Sequence, residues 1–432
     1  MCSLVPCDPM PHECSWLWSA HFPAMQGDKD PFDLVIVGGG MTGLALACAA
    51  AGAALRVLLI ERQPLAATVA PPFDGRVTAV AQGSRRLLEA IAVWPELAGN
   101  AQPICEIRVG ERHSPLTVHY DHRSVGDQPL GHIVENRLLR GALLRRAEQL
   151  STTTLTIAAP DRIERLDCRD PAALLRLRER GALSAALIAA AEGRASPTRA
   201  AQGIGVLRWD YEQTGIVATI AHERPHHGLA VERFFPDGPF AILPMTGRRS
   251  SIVWAAQDRL ARELIGLDDD DFMAELGERF GEQLGALRLA GPRWHYPLSM
   301  IQARRYTACR LALVGDAAHA IHPIAGQGWN LALRDVAALA ELLVDAKRLG
   351  LDPGSAAVLA RYEGWRRFDS LALIAITDGL NRLFGNDVLP LRLARELGLG
   401  LVERVGPLKQ FLMRHAMGVL GDLPRLMRGE AL

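Results

Sequence analysis

Apolar runs, alternating runs and helical periods succeed one another along this chain and mark out its elements. Leu34-Val-Ile-Val37 is apolar without alternation, which predicts a strand buried on both faces. Glycines interrupt it, and a small-residue helix is predicted from Met41. A second strand, Leu55 to Ile60, ends at Glu61. Ser84 to Ile91 is expected to be helical, and Ile104 to Val109 and Leu116 to Tyr120 alternate like strands. Glu135 to Leu150 puts Leu138, Leu139, Leu143 and Leu144 on one helical face. Thr153 to Ala158 is a short strand, Arg162 to Arg180 a charged β excursion, and Ala185 to Ala191 another doubly buried strand. From Gly205 to Ala256, β runs separated by Pro236-Asp-Gly-Pro and Thr246-Gly-Arg-Arg predict an antiparallel sheet distinct from the parallel one. Asp268 to Leu284 reads as helix, Arg310 to Val314 as a buried strand, and Asn330 to Leu349 as a long helix. Ala356 to Arg428 is helical and partly amphipathic, and no internal repeat is present.

Val35 to Leu55 carries no charge, but its glycines and alanines make it strand, turn and helix rather than a membrane span. The 432 residues suffice for about two or three domains of core. Apolar residues are 49% and charged residues 22%, as in a globular protein. The 48 basic and 48 acidic residues balance, which gives no support for nucleic-acid binding. Seven cysteines without a C-x-x-C pair argue against a disulfide scaffold and for a reducing, cytoplasmic setting. Residues 1–30 lack periodicity and a signal-peptide pattern, and are expected to be a disordered extension or to precede a true start near Met25. Their Cys2, Cys7, His12 and Cys14 have no zinc spacing, so no metal site is expected.

The chemistry begins at the first glycine turn. Gly38, Gly40 and Gly43 form G-x-G-x-x-G between a strand and a helix, the dinucleotide fingerprint in its required context. Gly38 permits the turn, Gly40 lets a pyrophosphate approach, and Gly43 lets the helix pack close to the sheet. N–H groups at Met41 and Thr42 then face the phosphates. Glu61 lies about 20 residues beyond the turn, where a carboxylate binds ribose hydroxyls, with Arg62 next to it. The fingerprint alone leaves NAD and FAD open.

Four segments in order then carry a resemblance: the Gly38 fingerprint, Phe73-Asp-Gly-Arg76, Glu192-Gly193-Arg194 with Ser196 and Arg199, and Leu313-Val-Gly315-Asp316-Ala-Ala-His-Ala-Ile-His-Pro323-Ile-Ala-Gly326-Gln327-Gly328-Trp-Asn330. With Glu232-Arg-Phe, Leu243-Pro-Met and Tyr296-Pro-Leu, the chain resembles the class A flavoprotein monooxygenases over about Phe32 to Leu426. Within them it is similar to the ubiquinone-biosynthesis hydroxylases, most of all the polyprenyl-methoxyphenol hydroxylase branch.

That resemblance implies an α/β fold of the para-hydroxybenzoate hydroxylase type. An FAD-binding Rossmann-like domain would span 31–104, 134–204 and 306–355. Substrate-domain segments would span 105–133 and 205–305, and C-terminal helices 356–432. It implies FAD as cofactor, reduced by NADH or NADPH, and hydroxylation of a prenylated phenol by dioxygen through a flavin hydroperoxide. It puts Asp316 with Gly315 on the ribityl chain, the backbone from Pro323 through Gln327 to Gly328 beside the flavin ring, and Asn330 among the cofactor-binding residues, while Arg76 follows a turn from which it either reaches a cofactor phosphate or pairs with an acid on the surface. Glu192-Gly193 stands where the family has Asp-Gly, in a segment that contacts FAD and the nicotinamide, so a weakened or displaced pyridine nucleotide is expected. Phe234, Phe240, Leu243, Pro244 and Trp254 are the candidates for an aromatic pocket, with Tyr296 the candidate hydrogen-bond partner of the phenol. A prenyl tail needs a bilayer or a partner, and Leu371 to Leu383 and Leu408 to Leu420 are candidates for peripheral contact with the inner membrane face or with a pathway complex. Other aromatic substrates, or an impaired flavoprotein scaffold, are the alternatives.

Overall fold

A computed structural model of the chain describes residues 31–68, 75–111, 117–384 and 389–432. The residue 1–30 extension, with its cysteines, and Phe73 lie outside them. The strand Phe32–Val37 is buried at every position, as its unbroken apolar run requires. It sits in a parallel sheet ordered Leu311–Leu313, Gly181–Ala190, Phe32–Val37, Val57–Ile60, Leu155–Ala158. The charged excursion is an antiparallel arm, Ile163–Cys168 with Ala173–Leu177, joined to the lower half of Gly181–Ala190. The Ala-rich helix Met41–Gly52 packs between Asn136–Leu150 and the long helix Gly328–Arg348, which its small side chains allow.

The predicted antiparallel sheet is present and has nine strands. Its central ladder runs Trp294–Ala303, Val206–His222, Arg249–Gln257, Gly238–Met245, Leu229–Phe235. Glu106–Glu111 extends it in parallel with Leu229–Phe235, the one parallel pairing in this sheet among the described residues. Helices Asp258–Gly266 and Asp269–Phe280 cover one face.

A third sheet joins Val77–Ala81, Gly131–Glu135 and Gln102–Ile104. The pattern of residues did not reveal Gly131–Glu135, because all five positions are buried and two of them, His132 and Glu135, are polar. His132 is accommodated edge-on against Trp94, and burial pushes its pKa down to about 4. Glu135 is satisfied by Arg137 and Arg249.

The helix Ala356–Phe384 buries Leu359, Tyr362, Arg366, Ser370, Leu373 and Thr377 along one stripe. Tyr362 donates from its hydroxyl to the Leu313 carbonyl at 2.8 Å, tying the C-terminal helices to the strand that leads into the second glycine segment. Among the described residues, no helix is long and apolar enough to cross a membrane.

Candidate functional site

The fingerprint turn is built as its residues demand. Gly38 has φ +109°, and a Cβ there would lie 2.6 Å from the Ala191 carbonyl oxygen. A Cβ at Gly43 would overlap the Gly38 carbonyl oxygen. Among the described residues, nothing lies within 4 Å of a Cβ placed on Gly40, and no side chain caps the helix that Met41 and Thr42 begin. An uncapped helix start beneath open space is an anion site. Glu61 Oε2 accepts from the Gly39 N–H at 2.7 Å, which holds the carboxylate at the edge of the turn, while Arg62 is exposed.

The second glycine segment lies against the first. A Cβ at Gly315 would meet the Thr42 methyl at 3.1 Å, so the two helix-start regions adjoin. Asp316 is half-exposed and makes an ion pair with Arg194 at 3.4 Å. Behind it, Asp335 is sealed from solvent and accepts from the Gly315 N–H (2.9 Å), His319 Nε2 (2.6 Å) and Arg366 Nε (2.8 Å). His322 contacts Gln213 Oε1 through Nε2 at 3.3 Å, and burial pushes its pKa down to about 4. The described residues hold no group of three His, Cys, Asp or Glu side chains placed to share a metal ion.

Asn330 ties the second glycine segment to a neighbouring strand. Its side chain is buried, donates to the carbonyls of Ala79 (2.8 Å) and Gly326 (3.1 Å), and accepts from the Ala81 N–H (2.9 Å). It fastens Pro323–Gly328 to the strand Val77–Ala81, with its hydrogen-bonding groups already engaged by protein. Gln327 and Gly328 start the long helix, again without a side-chain cap.

Glu192 likewise turns inward. Its Oε2 accepts from the Ser196 hydroxyl (2.6 Å) and the Thr198 N–H (3.1 Å), capping the short helix Pro197–Ala201. Arg199 is buried and donates to the carbonyls of Ala317 (2.9 Å) and Arg194 (2.8 Å), which clamps the Gly193 turn to the Asp316 segment. Arg194 also reaches Ser299 at 3.4 Å. Burial raises the pKa of Tyr296, and the charges of Arg194 and Arg76 pull it the other way.

The nine-stranded sheet has two unlike faces. Phe240 and Trp254, expected in the pocket, are sealed on the far face with Phe235, Ile252, Phe272 and Phe280. Strand alternation sends Phe240 and Trp254 away from the glycine segments, because they pair in register and share a face. A cavity of about 350 Å³ beside Phe272 and Trp294 is lined in part by this far-side packing. The near face carries Glu232, Phe234, Ala241, Leu243, Val253 and Tyr296 by the same alternation and register. Phe234 packs with Ile324, and Leu243 belongs to the same cluster as Ala79, so this face turns to the glycine segments. Glu232, Leu243, Val253 and Tyr296 each keep some accessible surface, which marks a cleft between sheet and loops. Glu232 was not singled out from the sequence as a site residue, since a glutamate within a strand carries no signal of which face it joins.

These features fit FAD: the uncapped helix start at Met41 with the Gly315 turn beside it for the diphosphate, the uncapped start at Gly328 for the flavin end, acidic groups at Glu61 and Asp316 for hydroxyls, and a cleft for the ring. Residues 32–367 match the family model described as FAD binding domain. The chain is 50% identical over 403 residues to ubiquinone hydroxylase UbiL of Rhodospirillum rubrum, covering 93% of each chain. It is 35% identical over 395 residues to 3-demethoxyubiquinol 3-hydroxylase of Escherichia coli, covering 90% of this chain and 100% of that one. The structure of p-nitrophenol 4-monooxygenase PnpA from Pseudomonas putida superposes with a TM-score of 0.73 at 18% identity, over 90% of this chain and 98% of that one, which shows a shared fold. The chain belongs to the FAD-dependent ubiquinone-biosynthesis hydroxylase family and has the para-hydroxybenzoate hydroxylase fold.

Proposed function

We propose that this protein hydroxylates the ring of a polyprenyl phenol in ubiquinone biosynthesis, using NADH or NADPH and dioxygen. Bound FAD supplies the redox chemistry by accepting a hydride and activating dioxygen. The observation that carries the reading is the near face of the nine-stranded sheet, a half-buried, largely apolar surface set across from the Ile324 loop. A planar aromatic ring needs such a cleft, and exclusion of water there protects the reactive cofactor.

In this reading, Gly38, Gly40, Met41, Thr42 and Gly43 hold the diphosphate, Glu61 the adenosine ribose, and Asp316 the ribityl hydroxyls. The Pro323–Gly328 backbone borders the ring, held in place by Asn330. Arg194, Arg76 and Tyr296 border the same cleft nearer Asp316. Phe368, which is 80% exposed, lies with Leu371 and Ile376 on the long C-terminal helix and offers apolar surface for a prenyl tail, a membrane face or a partner enzyme.

The test is NADH and NADPH oxidation by the purified yellow protein with short-chain prenylated phenols, with products identified by mass spectrometry. Stoichiometric ring hydroxylation supports the proposal. Oxidation stimulated equally by unprenylated aromatic acids, with no preference for a prenyl group, rejects the substrate class. Sedimentation with lipid vesicles checks the peripheral contact, and a Phe368→Ser variant that sediments like wild type removes Phe368 from it.

A further inference from the structure

We propose that Glu232 is the catalytic base that takes the phenolic proton of the ring substrate. This rests on the phenol hydroxylase reading above. Glu232 lies in the middle of the strand Leu229–Phe235, in register with Val109 on one side and Ala241 on the other. The residues two before and two after it on the same face are Ala230, in the cluster with Ile133 and Met245, and Phe234, in the cluster with Ile324 and Phe384. The carboxylate is therefore directed into the cleft between the sheet and the Pro323–Gly328 segment, bordered by apolar side chains.

No hydrogen bond or ion pair to this carboxylate is present among the described residues. The charged groups on the neighbouring elements are engaged elsewhere. Glu111, on the strand beside it, is paired with Arg395 at 2.7 Å, and Arg233 donates to the Arg279 carbonyl at 2.7 Å on the other side of the sheet. Burial alone pushes the Glu232 pKa up to about 8, with no neighbouring charge contributing. A carboxylate left without a partner in apolar surroundings is costly to the fold, and such groups gather where chemistry uses them. Tyr296 is a poorer base for this step. It registers with Gly215, whose strand is separated from that of Glu232 by two others, and its own strand carries Ser299, which Arg194 joins to the Asp316 end of the cleft.

The chemistry balances within the site. The phenolic O–H bond breaks, the proton passes to a Glu232 carboxylate oxygen, and the electron pair stays on the phenolate. Its charge is delocalised to the ring carbons, which makes them better nucleophiles toward the activated oxygen. A base raised toward the ~10 of a phenol accepts that proton at a far smaller energetic cost than an ordinary glutamate.

The test uses the FAD-loaded enzyme, Glu232→Gln, Glu232→Asp and 2-(3-methylbut-2-enyl)phenol as probe. Ionisation of the bound phenol is read from its ultraviolet difference spectrum against pH, alongside flavin content and single-turnover hydroxylation. The expectation for Glu232→Gln is full flavin content, probe affinity within a few-fold of wild type, ionisation of the bound phenol shifted downward because the competing negative charge is gone, and hydroxylation slower by about 100-fold without the wild type's rise as Glu232 loses its proton. Glu232→Asp is expected to recover part of the rate. A Glu232→Gln variant with wild-type rate and pH profile overturns the proposal, as does a loss in both variants that only tracks lost flavin. Failure of the wild type to hydroxylate any prenylated phenol overturns the functional reading and this inference together, whereas wild-type turnover with an indifferent Glu232→Gln overturns this inference alone.

Discussion

Asp335 Oδ1 accepts from Arg366 Nε at 2.8 Å, and both side chains are buried between the helices Gly328–Arg348 and Ala356–Phe384. The other carboxylate oxygen holds the Gly315 N–H and His319. One aspartate thus joins the C-terminal helices to the turn that presents Asp316.

Breaking that joint is expected to cost both stability and cofactor. Asp335→Ala leaves the buried Arg366 guanidinium with Asp369 alone and His319 without its carboxylate, a loss of about 3 kcal/mol, and frees the Gly315 turn. Purified Asp335→Ala should melt well below wild type and retain less flavin per chain. Wild-type melting and flavin content would show that the joint is dispensable. Burial raises the pKa of Asp335, but the charges of His319 and Arg366 outweigh it and hold the group below its ordinary value. Its contribution to stability is therefore present above the unfolded aspartate pKa of ~3.9 and is lost as pH falls through the lower folded value.

The fingerprint glycines should fail in different ways. A Cβ at Gly43 overlaps the Gly38 carbonyl, so Gly43→Ala is expected to lower the stability of the FAD-free protein as well as abolish flavin retention. Gly40 has φ −69° and open space around it, so Gly40→Ala should leave the FAD-free melting temperature within about 2 °C while weakening FAD binding. Calorimetry of the FAD-free proteins and FAD titration separate the two effects. Equal melting losses in both variants would contradict this account.

Glu192 should behave as a cap. Glu192→Ala removes the acceptor for Ser196 and Thr198, with an expected cost of about 1 kcal/mol. Denaturant titration reads that cost directly, and an unchanged midpoint would reject the role. Because the carboxylate is held within its own turn, Glu192→Asp is expected to alter NAD(P)H-driven flavin reduction through the position of Arg194 and Arg199, read by stopped-flow. Reduction at the wild-type rate would discard any link to the pyridine nucleotide.

Glu232 should leave a signature in stability without substrate. Its pKa rises from an ordinary 4.5 to about 8 on folding, so its proton is held more tightly in the folded chain. Stability linked to it is complete below pH 4.5 and is lost as pH rises through 8. The span corresponds to a few kcal/mol, on the order of 1.4 per unit. In Glu232→Gln this slope should vanish, leaving the FAD-free variant more stable than wild type at high pH. Parallel melting curves against pH for the two proteins would refute the shift.

What the sequence determined by itself is local and periodic. The doubly buried strand before Gly38, the glycine spacing, the acid at Glu61 and the Leu313–Asn330 segment each state their geometry over a few residues. A turn that only glycine can make, or a strand with no polar side, needs no distant information. The antiparallel sheet was also legible, from runs and turns. Which side of that sheet faces the cofactor was not. Phe240 and Trp254 look like pocket residues by composition, yet strand register sends them to the far face, where helices Asp258–Gly266 and Asp269–Phe280 cover them. Asn330 and Glu192 stand in cofactor-binding motifs, but their side chains are claimed by protein groups that are distant for Asn330, at Ala79 and Ala81, and local for Glu192. Glu232 acquires its meaning only when Ile324 and Phe384, far along the chain, close the apolar wall around it. Tertiary structure decided these points because facing, burial and partnership depend on strand register and on which segments pack together, some of them far apart in the chain, as Asn330 and Ala79 are at 251 positions, and no short pattern encodes them.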